Sequence, residues 1–238
     1  LYGNPPDLIN LQKLSYNLEI PLVLDSAQAH LAKYNDKHLI DYCDVVTQSF
    51  YITKNLGSFT ELGCILTNNQ EIYEKVKSLR NHGRTTNNYE YEEIGYNARP
   101  SELAAASLLV KLPYINEWTE KRRRIAKTYD ELLKPLKEKG LLKYLEPVPE
   151  AKCVYHIYPL FVNGDRNKIR QKLLENGVET QCQYSLPLHK TKVYEGLQQG
   201  RFEVGEELCN KVITLPIYDQ LTDNEIDYIC EKLSEILI

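Results

Sequence analysis

The sequence has 238 residues, 42% of them hydrophobic and 26% charged, and a formal net charge of −4. This composition is typical of a globular protein with a substantial core, and the basic run at 121–124 is interpreted as a solvated helix face, not a nucleic-acid-binding patch. No apolar stretch is long enough to span a bilayer, and no signal peptide is visible. The six cysteines form no CxxC pair, so we expect no metal site and a reduced, cytoplasmic protein.

The first residues have the composition of a loop interior. The chain starts at Leu1, contains no methionine and runs directly into the polar, proline-containing segment 2–7. We therefore expect further residues to precede Leu1 in the complete protein.

Strand and helix patterns alternate along the first half of the chain. Asp7 stands where a helix cap is expected, and Pro135 is expected to end or kink the last helix of this half. Residues 32–36 resemble a small hairpin, and the polar segment 81–99 is a long loop of the kind that often carries function. The alternation favours an α/β layer with a mostly parallel sheet. The predicted strands are 21–25, 44–50 and 63–67, and the predicted helices are 7–17, 70–80, 101–110 and 115–133.

The pattern changes after Cys153, where apolar residues alternate with residues of another face, as in a strand. Gly177 stands where a helix C-terminal glycine belongs, and Thr222 with Glu225 forms a capping box before the last helix. The sequence therefore predicts a small α/β domain behind a long connecting helix. Its predicted strands are 154–160 and 178–183, and its predicted helices are 167–176, 202–209 and 222–238.

Two predicted strand ends carry the groups that a pyridoxal ring requires. Asp25 ends the first strand, and Lys54 follows the second. A lysine amine forms an imine with the aldehyde, and a carboxylate keeps the ring nitrogen protonated so that the ring accepts electrons. Gln28 is placed to bond the phenolic oxygen, and Ser49 to bind a phosphate. Alone, Asp25 is equally a helix cap or a metal ligand and Lys54 a surface residue, but together they favour this chemistry.

Six segments of the chain carry a combined motif pattern: 25–30, 49–57, 80–83, 95–99, 187–189 and 215–218. In this order they resemble the DegT/DnrJ/EryC1/StrS family of PLP-dependent sugar aminotransferases. The resemblance implies an α/β protein of the type I PLP-transferase (aspartate aminotransferase-like) fold. Residues 1–113 are then the remainder of the PLP-binding large domain, and residues 114–238 the connecting helix and the small C-terminal domain.

The resemblance also implies roles for single residues around pyridoxal 5'-phosphate. Lys54 is expected to carry the cofactor and, once freed, to act as the general base. Asp25 is expected to pair with the ring nitrogen and Gln28 to lie beside the ring hydroxyl. Ser49 is expected to bind the phosphate, and Asn97 to reach the phosphate of a neighbouring subunit, which implies a homodimer.

A second group of residues is expected to face the substrate, namely Tyr184, His189, His82 and Tyr96. For the two histidines and Tyr96, a packed or loop-stabilising role is an equal alternative. The implied reaction moves an amino group, with glutamate as the donor, to a nucleotide-linked keto sugar for amino-sugar or surface polysaccharide biosynthesis.

The chain departs from the family pattern in three places. Ile52 stands where a proline is common, and the segment 58–64 is bulkier than usual. These changes bear on the shape of the lysine loop. The family's N-terminal part, which supplies other phosphate ligands and an aromatic ring that stacks on the cofactor, is absent from the sequence.

Two alternative functions remain open. The chain is either an aminotransferase or a truncated, non-catalytic member that acts as a regulatory or partner-binding subunit. A cysteine-desulfurase-like enzyme fits less well, because no cysteine stands in a flexible glycine-rich loop. Relatives that eliminate water carry histidine at the lysine position, so Lys54 argues against that branch.

Overall fold

The computed structural model describes residues 1–84, 89–197 and 200–238. The backbone divides into two compact units, one containing residues 3–119 and 147–156, the other containing residues 120–146 and 157–238. The domain roles assigned to 1–113 and 114–238 stay a prediction. Across the described ranges, no helix combines the length and the hydropathy needed to cross a bilayer.

The elements in chain order are α1 (Leu8–Leu18), β1 (Val23–Asp25), β2 (Lys33–Tyr34), β3 (Lys37–His38), β4 (Val45–Ser49), β5 (Gly63–Leu66), α2 (Gln70–Leu79), α3 (Glu102–Lys111), α4 (Ile115–Glu138), β6 (Leu142–Tyr144), β7 (Ala151–Lys152), β8 (Tyr158–Val162), α5 (Arg166–Glu175), α6 (Glu203–Lys211), β9 (Val212–Leu215) and α7 (Asp223–Leu237).

The first unit is built on a three-stranded sheet in the order β1-β4-β5. β1 runs parallel to β4, whereas β5 runs antiparallel to it. The loop at 50–62 contains no crossover helix, so the chain returns beside β4 in the opposite direction. The expectation of a mostly parallel sheet is therefore met by only one of the two strand pairs of this sheet.

Local signals place the other elements of the first unit. The Asp7 carboxylate accepts a hydrogen bond from the backbone N–H of Asn10 at 3.1 Å and so caps α1 as predicted. The predicted hairpin is confirmed as β2 and β3, joined through Asn35 and Asp36 with positive φ angles. β7 pairs with the other edge of β2. A buried apolar cluster underlies these elements, formed by Leu8, Ala29, Ala32, Tyr34, Leu39, Tyr42, Val46 and Val154.

The second unit has an antiparallel sheet in the order β6-β8-β9. The predicted strand at 178–183 is wrong, because only a single bridge from Gln181 to Thr214 forms there. β9, all of whose residues are buried, occupies the place beside β8 instead. The predicted strand at 154–160 begins only at Tyr158, since Tyr155 has a left-handed backbone with φ 44°. The capping box before α7 is confirmed.

Pro135 lies inside α4, which continues three residues further to Glu138. Of the two outcomes predicted for Pro135, an end of the helix is therefore wrong, and a kink stays a prediction. Proline removes one backbone hydrogen bond near the end of the helix, where few remain to be lost. Leu133 and Leu136 are buried on either side of it, so side-chain packing stabilises the last turn.

Tyr158→Phe is expected to lower the free energy of unfolding of the second unit by about 1–2 kcal/mol. The Tyr158 hydroxyl donates to Oδ1 of Asp130 at 2.7 Å. Burial raises the pKa of the Asp130 carboxyl, and this hydrogen bond opposes the rise. Urea unfolding at neutral pH measures the loss. Tyr228→Phe is the matched control, because its hydroxyl donates to the Asn176 carbonyl at an exposed position; an equal loss in both variants would contradict the assignment.

Candidate functional site

The carboxyl ends of β1 and β4 form one edge of the first sheet. Asp25 is the last residue of β1 and pairs with Thr47, and Ser49 is the last residue of β4. Because the two strands run parallel, both ends reach the same edge. The loop that carries Lys54 starts directly after Ser49. The structure therefore brings Asp25, Ser49 and the beginning of the Lys54 loop to one side of the sheet.

The Asp25 side chain is exposed at this edge and helps to shape the turn that follows. Its Oδ1 accepts a hydrogen bond from the backbone N–H of Ala27 at 2.9 Å. The next residue, Ser26, is buried, and both its N–H and its hydroxyl donate to the Thr47 carbonyl at 2.9 Å. One carboxylate oxygen thus holds the turn while the second oxygen remains an acceptor.

The Lys54 loop is closed by its own backbone and by a neighbouring helix. The Lys54 N–H donates to the Tyr51 carbonyl at 2.8 Å, and the Lys54 side chain is half-buried. Gly57 is buried, and a Cβ at this position would collide with the carbonyl of Ile52. The ammonium group of Lys111 on α3 donates to the Gly57 carbonyl at 2.6 Å. The loop therefore has a fixed path that only glycine at position 57 allows.

Ser49 and Gln28 lie on the two turns of this edge. The Ser49 hydroxyl accepts from the backbone N–H of Tyr51 at 3.3 Å. The Gln28 side chain is half-buried, and the backbone carbonyl oxygen of Gln28 lies 2.9 Å from where a Cβ on Gly3 would stand. Gly3 has φ 86°, so the close approach and the backbone angle both require glycine there.

Asn97, His82 and Tyr96 belong to the loop predicted at 81–99, of which residues 85–88 lie outside the described part of the chain. Asn97 is exposed, and its side-chain oxygen accepts from the Arg99 guanidinium at 3.1 Å. The His82 N–H donates to the Tyr96 carbonyl at 2.9 Å, with His82 at φ 66°. The Tyr96 side chain is 69% exposed. The backbones of His82 and Tyr96 thus close the loop, whereas their roles toward a substrate stay predictions.

Tyr184 and His189 belong to the second unit. Tyr184 is exposed. His189 is hydrogen-bonded through Nε2 to Glu206 at 3.0 Å, and its ring centroid lies 4.5 Å from that of Phe202. The hydrogen bonds from Lys190 and His189 lower the pKa of the Glu206 carboxyl. These contacts are compatible with the packed role considered for His189 from the sequence, and its role toward a substrate stays a prediction.

The sequence model of the DegT/DnrJ/EryC1/StrS aminotransferase family matches residues 1–234. The chain belongs to this family. Its structure is a part of the family's PLP-transferase fold, as the resemblance implied.

Two relatives and one solved structure show the extent of the similarity. The pleiotropic regulatory protein of Geobacillus stearothermophilus is 33% identical, covering 99% of this chain and 63% of the relative. The dTDP-3-amino-3,6-dideoxy-alpha-D-galactopyranose transaminase of Aneurinibacillus thermoaerophilus is 35% identical, covering 98% of this chain and 63% of the relative. The structure of S. venezuelae DesV in complex with a ketimine intermediate is 28% identical with a TM-score of 0.92, covering 100% of this chain and 63% of that chain. The chain therefore spans about 63% of the length of these relatives.

Aminotransferases of the DegT/DnrJ/EryC1/StrS family use pyridoxal 5'-phosphate. The donor set at the sheet edge fits this cofactor by its chemistry. Asp25 offers a carboxylate for a protonated ring nitrogen, Ser49 a hydroxyl for a phosphate, and Lys54 a primary amine for an aldehyde. The second oxygen of Asp25, which the turn does not use, is the acceptor that a ring N–H requires.

The sequence did not single out His30, although it stands in one of the segments that resemble the DegT/DnrJ/EryC1/StrS family. Its side chain is 2% exposed, and its ring stacks on Phe50 with centroids 5.3 Å apart. Neither ring nitrogen makes a hydrogen bond of normal geometry within the described residues. Burial, and then the charge of Lys54, lower the His30 pKa to about 4, while an interaction with the Ser49 backbone opposes this in part. His30 is therefore a neutral imidazole within the electrostatic reach of Lys54.

Asn55 and His156 were also not predicted as site residues. Nδ1 of His156 lies 3.0 Å from the side-chain oxygen of Asn55, the residue directly after Lys54. The only sequence signal for Asn55 is its position next to Lys54. No local pattern identifies His156, because it lies 101 residues from Asn55 along the chain.

Proposed function

We propose that this chain is the lysine-bearing part of a PLP-dependent aminotransferase that moves an amino group from glutamate to a nucleotide-linked keto sugar, in amino-sugar or surface polysaccharide biosynthesis. The observation that carries the proposal is the shared edge of β1 and β4, which joins Asp25, Ser49 and the start of the Lys54 loop in a member of this aminotransferase family. The relative named as a dTDP-sugar transaminase, at 35% identity, supports the substrate class.

Each residue at the edge has a role that its chemistry allows. When bound, the cofactor supplies an electron sink for the bond that breaks at the amine-bearing carbon. The Asp25 carboxylate would keep the ring nitrogen protonated, Gln28 would bond the ring hydroxyl, and Ser49 would bind the phosphate. The Lys54 Nζ would hold the cofactor and, once released, would move a proton from the amine-bearing carbon to the aldehyde-derived carbon of the cofactor. The second half of the reaction would run this transfer in reverse.

Other expectations from the resemblance belong to the same proposal. Asn97 is exposed, as a residue must be to bind the phosphate in a neighbouring subunit, so the proposal includes a homodimer. Tyr184, His189, His82 and Tyr96 are proposed to face the sugar nucleotide. Residues 1–113 act as the cofactor-binding domain and 114–238 as the small domain of a cytoplasmic enzyme.

A non-catalytic regulatory role is the second candidate. The relative with 33% identity that is named a pleiotropic regulatory protein favours it. The two candidates differ in chemistry, since only the aminotransferase requires a reactive amine at Lys54.

Lys54→Ala is expected to abolish covalent attachment of the cofactor and to lower amino transfer about 10³-fold or more, because attachment and proton transfer both depend on Nζ. The chain is incubated with pyridoxal 5'-phosphate, reduced with borohydride and mapped by mass spectrometry. Amino-sugar formation from glutamate and a panel of keto-sugar nucleotides is then followed by mass.

Lys13→Ala is the control, because Lys13 is an exposed lysine on α1 of the same unit. We expect the label at Lys54 in the parent and in the control, and none in Lys54→Ala. Labelling spread over surface lysines in all three proteins would refute the aminotransferase and favour the regulatory role.

A further inference from the structure

One amide side chain connects the Lys54 loop to a distant segment of the first unit. Nδ2 of Asn55 donates to the Val154 carbonyl at 3.2 Å, and Oδ1 of Asn55 faces Nδ1 of His156 at 3.0 Å. Val154 is buried, and its N–H donates to the Gly3 carbonyl at 3.0 Å. Asn55 is half-buried, and both of its hydrogen bonds are partly buried, which reduces the competition from water. Both ends of the connection are therefore fixed.

The two hydrogen bonds determine the protonation of the His156 ring. A backbone carbonyl only accepts, so the Asn55 amide nitrogen must face Val154 and the amide oxygen must face His156. An oxygen acceptor requires a proton on Nδ1. The neutral His156 ring is consequently the Nδ1–H tautomer, and its Nε2 carries a lone pair.

The backbone between the two contacts is strained. Tyr155 has φ 44°, a left-handed conformation that costs a residue other than glycine about 1–2 kcal/mol. This conformation turns the chain so that the Val154 carbonyl and the His156 ring both reach the same amide. A strained residue persists where the surrounding contacts fix it, and such residues are concentrated at functional sites.

We propose that Asn55 and His156 are positioning residues for Lys54. Asn55 binds the strained turn at 154–156 and thereby fixes the path of the loop that presents the Lys54 amine, and His156 supports this contact only when Nδ1 carries a proton. We call the contact of the Asn55 amide with Val154 and His156 the clamp. Its role in holding the reactive amine rests on the proposed function. The clamp itself does not require a bound cofactor.

Hydrogen exchange at two backbone amides of the Lys54 loop measures the effect of the clamp in the chain without cofactor. The Lys54 N–H donates to Tyr51, and the Ser58 N–H donates to Phe50 at 2.7 Å. In Asn55→Ala, two hydrogen bonds are lost, and we expect the hydrogen-exchange protection of both amides to fall about ten-fold. The protection of β4 should stay unchanged. Unchanged protection of the two loop amides, or an equal fall in the protection of β4, would refute the inference, since neither result shows an effect confined to the loop.

Matched variants separate the hydrogen bonds from general packing. Asn10→Ala on α1 removes another side-chain amide bond of the same unit, to Asp7, and should leave the loop amides protected. His156→Asn keeps a side-chain N–H near the Nδ1 position and should retain most of the protection, whereas His156→Leu should lose it. Loss of protection in Asn10→Ala, or equal protection in His156→Asn and His156→Leu, would count against the proposal.

Two further readouts connect the clamp to its purpose. Nitrogen-15 NMR of the ring should show a protonated Nδ1 in the parent and a changed Nδ1 chemical shift in Asn55→Ala, which removes the acceptor of that proton. The rate of borohydride-trapped labelling of Lys54 by pyridoxal 5'-phosphate should fall about ten-fold in Asn55→Ala. If Lys54 of the parent is not labelled, the proposed function fails, and the exchange data still decide the clamp. If labelling is equal in both proteins, the positioning role fails alone.

Discussion

Asp25→Asn is expected to lower amino transfer about 10³-fold while leaving the fold of the first unit intact. The amide oxygen of asparagine still accepts the Ala27 N–H, so the turn after β1 is kept. The negative charge, which stabilises a protonated ring nitrogen, is lost. Removing one preorganised electrostatic partner of a reacting group typically costs 10²–10³-fold in turnover, and here the partner controls the electron acceptor itself. Turnover with glutamate and a keto-sugar nucleotide measures the effect.

The comparison of three substitutions at Asp25 separates charge from shape. Asp25→Glu keeps the charge and is expected to retain more activity than Asp25→Asn, although its longer side chain moves the carboxylate. Asp25→Ala loses both the charge and the bond to Ala27, so it should be the slowest and should also lower thermal stability. Activity in Asp25→Asn close to that of the parent would contradict the role of the carboxylate.

The first unit is expected to lose about 3 kcal/mol of stability between pH 7 and pH 4 through His30 alone. The folded protein lowers the His30 pKa from 6.5 to about 4, mainly by burial and then through the charge of Lys54. Above pH 6.5 the ring is neutral in both the folded and the unfolded chain, so its titration costs no stability there. Stability is lost as the pH falls from 6.5 to about 4, because only the unfolded chain takes up the proton in this range.

His30→Phe tests this dependence by removing the titrating group. Phenylalanine keeps an aromatic ring against Phe50 and leaves no buried ring nitrogen without a partner. Urea unfolding at a series of pH values should show a loss on acidification that is about 3 kcal/mol smaller at pH 4 than in the parent. Equal acid sensitivity in the two proteins would contradict the buried, neutral state of His30.

Lys54→Met provides a second check on the same histidine. It removes the charge but keeps a side chain of similar length, so the pKa of His30 should rise. Proton NMR of the ring follows the titration in both proteins. An unchanged titration would show that burial alone sets the pKa.

The sequence predicted elements that carry their own local signals. α1 and α7 begin where capping residues stand, and β1 and β4 coincide with apolar runs that end in polar residues. Asp25 and Ser49 reach one edge because successive parallel strands end on the same side of a sheet. This rule required no knowledge of side-chain contacts.

Other features depend on contacts that no local pattern contains. α4 continues past Pro135 because Leu133 and Leu136 are buried, and β9 rather than 178–183 pairs along β8. The contact between Asn55 and His156 joins residues 101 positions apart. The burial of His30, and with it the lowered pKa, depends likewise on the packing of the whole unit.

The sheet that presents Asp25 is bounded on its two sides by the strands β1 and β5, and neither strand has a further partner within the described part of the chain. β1 and β5 each pair only with β4, and the side chains of Val23 and Ile65 are 57% and 45% exposed. An unpaired strand edge is a template on which another polypeptide can add a strand. We therefore expect the isolated chain to associate through these strand edges as its concentration rises, which light scattering over a concentration series measures.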